Sequence, residues 1–191
     1  MLEQVYYPFG QLPKRAIEGV CITTNQQDHW AVAYSTFILS KQAGFDIEFQ
    51  HDDQPLKDAM LYILPSIKGV WGIPRHRWME ILNKVKEGAT LYISIEDGYV
   101  ADFEEVTGLK VQTRYRRSGV VETVIGGTHL NFNALIKLAM EATRAQVLGT
   151  EKDGNPIFAT SAYGKGRVFF MAMRLFYRTE FIGAKSRRMM Q

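Results

Sequence analysis

The 191-residue sequence contains a single cysteine, Cys21. One thiol excludes an internal disulfide and any zinc site built from cysteines alone, and it fits a reducing, cytoplasmic setting. Long apolar runs are also missing. None approaches the roughly 20 residues that a helix needs to cross a bilayer, so no membrane is expected. The opening Met1-Leu2-Glu3-Gln4-Val5-Tyr6-Tyr7 lacks the basic stretch and apolar core of a signal peptide. Neither sign of charge dominates: 23 basic and 20 acidic residues leave a net charge of +3, too little for a dedicated nucleic-acid binder. The four histidines, His29, His51, His76 and His129, are scattered, and no two are four residues apart as a helical metal motif requires. No cofactor or metal is expected.

What is present is ordinary globular composition, 46% hydrophobic and 23% charged, in a length that suits one α/β domain. Residues 1–18 read as a lead-in or linker, broken by Pro8 and Pro13; residues 19–173 read as the domain; residues 174–191 form a basic tail without a clear period.

The central signal is a strand–helix–strand unit. Met60 to Leu64 reads as a strand ending in a turn at Pro65-Ser66, Arg75 to Glu87 as a helix with Trp78, Ile81, Leu82 and Val85 inward, and Ala89 to Ile95 as the next strand. Pro74 suits the start of that helix and Gly88 its end. Before it, Gly19 to Thr24 reads as a buried strand. Asp28 is placed to cap a helix whose stripe is Trp30, Ala33, Tyr34, Phe37, Ile38 and Lys41, and Phe45 to Gln50 follows as a strand. Asp102 to Val106 predicts a short acidic helix. Beyond Gly108 the chain turns β-rich. Leu109 to Arg116 and Val120 to Ile125 predict a hairpin through Arg117-Ser118-Gly119, a helix is expected over Phe132 to Thr143, and Gln146 to Thr150, Ile157 to Ala162 and Arg167 to Ala172 predict three more strands. Gly164-Lys165-Gly166 lacks the spacing of a phosphate loop and reads as a hairpin turn.

In a parallel sheet, ligands gather at the carboxyl ends of the strands. Three sets of candidates fall there. Thr24 and Asn25, with His29, follow the first strand; Ser66 and Trp71 follow the third; Ser94, Glu96 and Asp97 end the fourth. Paired carboxylates serve acid–base work, and aromatic faces stack on sugars. Each has a plainer reading: Asp97-Gly98 is common turn chemistry, His51-Asp52-Asp53 is a surface loop, and the apolar loop around Trp71 is a contact surface. Cys21, set inside a strand, reads as a small buried hydrophobe. Arg114-Tyr115-Arg116-Arg117 reads as a charged edge strand rather than a stacking platform.

Four stretches together carry a resemblance: Ala33-Tyr34-Ser35 through Lys41-Gln42-Ala43-Gly44-Phe45; Tyr62-Ile63-Leu64-Pro65-Ser66; Glu87 through Ser94; and Gly164-Lys165-Gly166-Arg167-Val168-Phe169-Phe170. Across roughly Gly19 to Ala172 the chain resembles the amidotransferase-like domain that follows the catalytic barrel in some bacterial glycoside hydrolases, best known as the trimerisation domain of certain β-galactosidases. The resemblance implies a flavodoxin-like, class I glutamine amidotransferase-like three-layer sandwich with a mainly parallel central sheet and a β-rich carboxyl-terminal part. In the amidotransferase type the turn after the strand bears a nucleophilic cysteine; here it reads Ser94-Ile95-Glu96-Asp97-Gly98. The chain also departs from its relatives after the last strand, at Met173-Arg174-Leu175-Phe176-Tyr177. The function implied is a non-catalytic domain of a glycoside hydrolase, acting in subunit or domain assembly. Its expected partners are further copies or a glycosidase catalytic domain, with carbohydrate as a ligand and no nucleic acid. The alternative is a stand-alone hydrolase or sugar-binding module that uses the strand edge. A barrel needs about 250 residues, so this chain cannot contain one.

Overall fold

The computed structural model describes residues 17–25, 29–69, 72–95, 97–117, 120–132 and 134–173, with only the backbone of 29–31. The expected cap Asp28, the loop residue Trp71, Glu96 and the tail lie outside them.

The first half alternates strand and helix. β1 (Gly19–Thr23) leads to α1 (His29–Gln42), β2 (Ile47–His51) and β3 (Leu61–Ile67), then to α2 (Arg75–Glu87), β4 (Thr90–Ile95) and the single-turn α3 (Phe103–Thr107). The second half is β throughout: β5 (Leu109–Arg116), β6 (Val121–Ile125), β7 (Thr128–Phe132), β8 (Ile136–Ala142), β9 (Gln146–Glu151), β10 (Pro156–Tyr163) and β11 (Gly166–Met171). Nine strands form one sheet in the order β2-β1-β3-β4-β11-β10-β9-β6-β7. From β2 to β11 neighbours run parallel; from β11 to β7 they run antiparallel. Parallel pairing thus stops halfway across, because the last strands follow one another by hairpins instead of helical crossovers.

Successive residues of a strand face opposite sides of the sheet. Val20 and Ile22 enter the main core with Trp78, Ile81, Leu82 and Val85 of α2. Cys21 between them faces Thr36 of α1. The two long helices therefore cover opposite faces. α2 is built as expected: Pro74 precedes it with φ −59°, Gly88 ends it, and Trp78 Nε1 donates to the Ala101 carbonyl at 3.1 Å.

α1 inverts the expected stripe. Tyr34 and Phe37 are 44% and 42% exposed, whereas Val32, Ser35, Thr36 and Ser40 are buried. The inner face is small and polar, so the helix lies close over β1, and Thr36 Oγ1 satisfies itself on the Val32 carbonyl at 2.8 Å.

Three further expectations are corrected. The segment 132–143 is not a helix: β8 runs from Ile136 to Ala142, antiparallel to β5 in a separate two-stranded sheet. Leu135, Ile136, Leu138, Ala139 and Ala142 match a helical period, but Leu138 and Met140 alternate as a strand does, and Lys137 is also buried by its ionic partners. β5 and β6 do not form a hairpin; β6 pairs instead with β7, through a turn at Gly126 and Gly127, and with β9. The third strand does not end at Leu64; it continues through Pro65 and Ser66 to Ile67, with an irregularity against β4. The Gly164–Gly166 turn does join the antiparallel pair β10–β11.

Candidate functional site

β1, β3 and β4 run parallel, so their carboxyl ends lie along one edge of the sheet, where the candidates were expected. Ser66 adopts φ +55°, a left-handed conformation that L residues other than asparagine and aspartate seldom take. That turn aims its backbone N–H at Ser94 Oγ, 2.7 Å away. Both serines are buried, at 1% and 0% exposure. The Tyr92 hydroxyl also bonds Ser94; burial pushes the phenol up, and that bond pulls it part of the way back. Ser94 is thus a structural tie between β3 and β4, and no histidine bonds to it among the described residues.

The loops beyond these strands are stitched to each other. Gly69 N–H donates to Asp97 Oδ1 at 2.9 Å, and Gly98 N–H donates to the Ile67 carbonyl at 3.3 Å. A Cβ on Gly98 would stand 2.7 Å from the Gly69 carbonyl oxygen. Asp97 therefore serves as a loop clasp. On either side of the expected elbow Ser94 and Asp97 are tied to the backbone of β3 and its loop, and the described residues there hold no nucleophile–base pair.

The structure brings together a group that reads in the sequence as a surface loop. His51 Nδ1 lies 2.8 Å from Asp53 Oδ1 and 3.1 Å from Asp52 Oδ1, and His51 Nε2 lies 3.2 Å from Asn25 Oδ1. Of the expected residues, Asn25 joins this group, and Thr24 beside it is buried. His29 opens α1, and its side chain lies outside the described residues. The loop bearing Asp52 is anchored from α2: Arg77 Nε donates to the Asp52 carbonyl at 2.9 Å, and the same guanidinium reaches the Gln54 carbonyl. His51, Asp52 and Asp53 are the residues among those described that could hold a cation, their ligand atoms lying within 4.8 Å of one another. A His-Asp-Asp run after a strand was the only signal in the sequence, and the partner Asn25 is 26 residues away.

A second polar cluster sits in the β-rich half. Arg117 donates from both terminal nitrogens to Glu151, Lys137 lies 3.2 Å from the same carboxylate, and Asn155 Nδ2 donates to it at 2.9 Å. Arg114, Tyr115 and Arg116 are exposed on β5, as a charged edge strand would have them.

Neither a protein-family model nor a curated protein matches the sequence. Solved structures do. The chain superposes with a TM-score of 0.67 on a GH42 β-galactosidase from G. stearothermophilus, at 13% identity, over 92% of its own length and 30% of the galactosidase. It superposes with a TM-score of 0.69 on an exo-β-1,4-mannosidase from Opitutaceae bacterium strain TAV5, at 16% identity, over 83% of this chain and 31% of the mannosidase. The fold is one that glycosidase chains carry as a part of themselves. It also stands almost alone: a cytoplasmic protein, STM1381, from Salmonella typhimurium LT2 matches at a TM-score of 0.62 and 14% identity, over 84% of this chain and 89% of that one. The chain spans about a third of the glycosidases it resembles, and among the described residues no helix is long and apolar enough to cross a membrane.

Proposed function

We propose that this chain is a non-catalytic, amidotransferase-like domain of a glycoside hydrolase, flavodoxin-like in its parallel half, that acts in subunit or domain assembly and works in the cytoplasm. The observation that carries the reading is the engagement of Ser94 and Asp97, in a fold found inside a β-galactosidase and a mannosidase: Ser94 Oγ accepts the Ser66 N–H, and Asp97 Oδ1 accepts the Gly69 N–H. Burial of Cys21, whose thiol is pushed up to about 12, supports the same view, because a catalytic thiol must ionise and meet its substrate.

The test is activity against context. The purified chain is expected to leave aryl β-galactosides and β-mannosides intact. A reading frame of about 250 residues or more for a barrel is expected beside it in the genome. In the joined protein, deletion of residues 19–173 is expected to disturb assembly or stability. Turnover by the chain alone overturns the proposal.

The group of His51, Asp53 and Asn25 at the strand edge favours a second reading, a sugar-binding module. Isothermal titration with a broad glycan panel checks it, and a panel without heat removes it.

A further inference from the structure

Three potential ligand atoms converge at the end of β2. His51 Nδ1 lies 3.1 Å from Asp52 Oδ1 and 2.8 Å from Asp53 Oδ1. Neighbouring ligands of one ion, each bonded at about 2.0–2.2 Å, stand roughly 3 Å apart, so both spacings suit a shared cation. The donors are one imidazole and two carboxylates. Magnesium and calcium sites are built from oxygen, whereas an imidazole suits zinc and its neighbours in the first transition row.

Asp52 points to a cation on separate grounds. Its side chain is buried, at 9% exposure. A buried carboxylate is ordinarily paired with a cation or bound to a metal. Arg77 grips the same loop but is not that cation: its Nε donates to the Asp52 carbonyl at 2.9 Å, Nη1 to Glu80 and Nη2 to the Gln54 carbonyl. Among the described residues the Asp52 carboxylate meets only His51 Nδ1, and Asp53 Oδ1 lies closer to that same nitrogen. One ring nitrogen carries at most one proton, so it cannot serve both carboxylates in full.

We propose that His51 Nδ1 and the carboxylates of Asp52 and Asp53 bind one divalent transition-metal ion of the zinc type. The site does not depend on the assembly reading above. The other ring nitrogen, Nε2, lies 3.2 Å from Asn25 Oδ1. A histidine that ligates through one nitrogen commonly donates its other N–H to an oxygen acceptor, which fixes the tautomer and the plane of the ring. Asn25, just beyond β1, holds that place. The loop is also set before an ion arrives. Asp52 N–H donates to the Thr23 carbonyl at 3.0 Å, Gln54 N–H returns to the His51 carbonyl at 3.1 Å, and Arg77 holds the carbonyls of Asp52 and Gln54. The Asp53 side chain is 77% exposed, so the ion has an approach from solvent. Three side-chain ligands leave at least one position for water or for an oxygen of a ligand at the strand edge.

Isothermal titration of the full chain, first stripped with a chelator, tests the site with Zn²⁺ as the probe. The expected result is about one ion bound per chain and a melting temperature that rises with zinc concentration. Asp53→Asn and His51→Gln are each expected to weaken zinc binding about tenfold or more, and Asn25→Ala to weaken it about tenfold by releasing the ring. His129→Gln, on β7, is expected to leave the affinity unchanged. Mg²⁺ and Ca²⁺ at the same concentrations are expected to bind far more weakly. Circular dichroism checks that each variant is folded, and Asp53→Asn, at an exposed side chain, serves if His51→Gln does not fold. Absence of heat with zinc at millimolar concentration overturns the proposal. So does zinc binding that ignores both Asp53→Asn and His51→Gln, or tighter binding of magnesium or calcium than of zinc.

Discussion

Arg117 grips Glu151 with two parallel hydrogen bonds, Nη1 to Oε2 at 2.7 Å and Nη2 to Oε1 at 2.5 Å, across 34 residues of sequence. The two side chains are 9% and 6% exposed. Arg117 Nε also donates to the Ile136 carbonyl at 3.0 Å, so one guanidinium ties the end of β5 to β8 and β9. Lys137 and Asn155 complete the shell around the carboxylate.

Removing one side of this pair leaves the other charged and buried. Arg117→Ala is expected to cost about 3 kcal/mol or more of unfolding free energy, and Arg117→Lys to recover little of it, because an ammonium cannot reproduce the two-pronged bond. Replacing Arg117 and Glu151 together with methionine and leucine is expected to cost less than the two single changes summed. Urea unfolding of the parent, Arg117→Ala, Arg117→Lys, the two single replacements and their combination measures both expectations.

The same cluster sets an acid limit. Burial alone would raise the Glu151 carboxyl, but hydrogen bonds from Arg117 and Asn155 outweigh it and hold the group below its ordinary value of 4.5. The bond from Lys137 lowers Asp153 in the same way, from 3.8. A carboxylate with a lower value folded than unfolded stabilises the fold fully above the unfolded value, and that stability drains away as pH falls toward the folded one. Unfolding free energy is therefore expected to fall as the pH drops below about 4.5, and Glu151→Gln to flatten that part of the profile. Lys137 works at the other end. Burial would lower it, its carboxylate partners raise it further, and its contribution disappears only above about 10.5.

Gly166 is expected to be irreplaceable for a packing reason. A Cβ there would stand 2.1 Å from the Ala89 carbonyl oxygen and 2.2 Å from that of Val85. β11 must pass this close to the end of α2 to pair with β4. Gly166→Ala is expected to destabilise the fold by about 3 kcal/mol or to prevent folding, because the obstructing atoms are backbone. Gly154→Ala, with open space at its Cβ and a strained φ of +86°, is expected to cost about 1 kcal/mol. Thermal melting of the two variants separates the effects.

These cases also mark what was legible in the sequence. The alternation from β1 to α3 stood out because the helices are followed by glycine and α2 is bracketed by Pro74 and Gly88, which marks Trp78, Ile81, Leu82 and Val85 as a helix stripe. β8 was illegible because Lys137 is buried by its partners Glu151 and Asp153, which hides the alternation of Leu138 and Met140. The outward turn of Tyr34 and Phe37 was illegible because a period reveals a face but not which side of it meets the sheet. The common carboxyl edge of β1, β3 and β4 was legible, and the missing cysteine was plain. The burial of Ser66 and Ser94, the Asp97 clasp and the Asn25–His51 contact depend on pairings 26 to 28 residues apart that no local motif records.

Ser94→Ala separates a structural serine from a reactive one. The substitution removes the acceptor of the Ser66 N–H in a fully buried site, and is expected to cost about 2 kcal/mol. Ser94→Thr keeps the oxygen but adds a methyl group to a fully buried site, and is expected to be destabilising as well. In an assembled glycosidase, both variants are expected to alter stability and leave kcat/KM of the folded fraction unchanged. A selective loss of kcat at equal folded fraction would return Ser94 to the chemistry.

Cys21 is expected to be silent until the protein unfolds. Its thiol is fully buried between Val20 and Ile22, and burial pushes it up to about 12, with its contact to the Thr36 hydroxyl pulling the other way. At pH 8 an unfolded cysteine, near 8.5, is partly thiolate, whereas the native one is neither ionised nor reachable. Iodoacetamide at that pH is expected to leave the native chain unmodified and to label it once in denaturant, as read by mass. Because labelling must wait for opening, its rate across a urea series should track the global unfolding equilibrium, and Arg117→Ala, far from Cys21 on the other half of the sheet, should speed it. Rapid native labelling that ignores Arg117→Ala would show that the layer of α1 over β1 opens on its own, and would place the least stable unit of the fold beneath the aromatic flank of Tyr34 and Phe37.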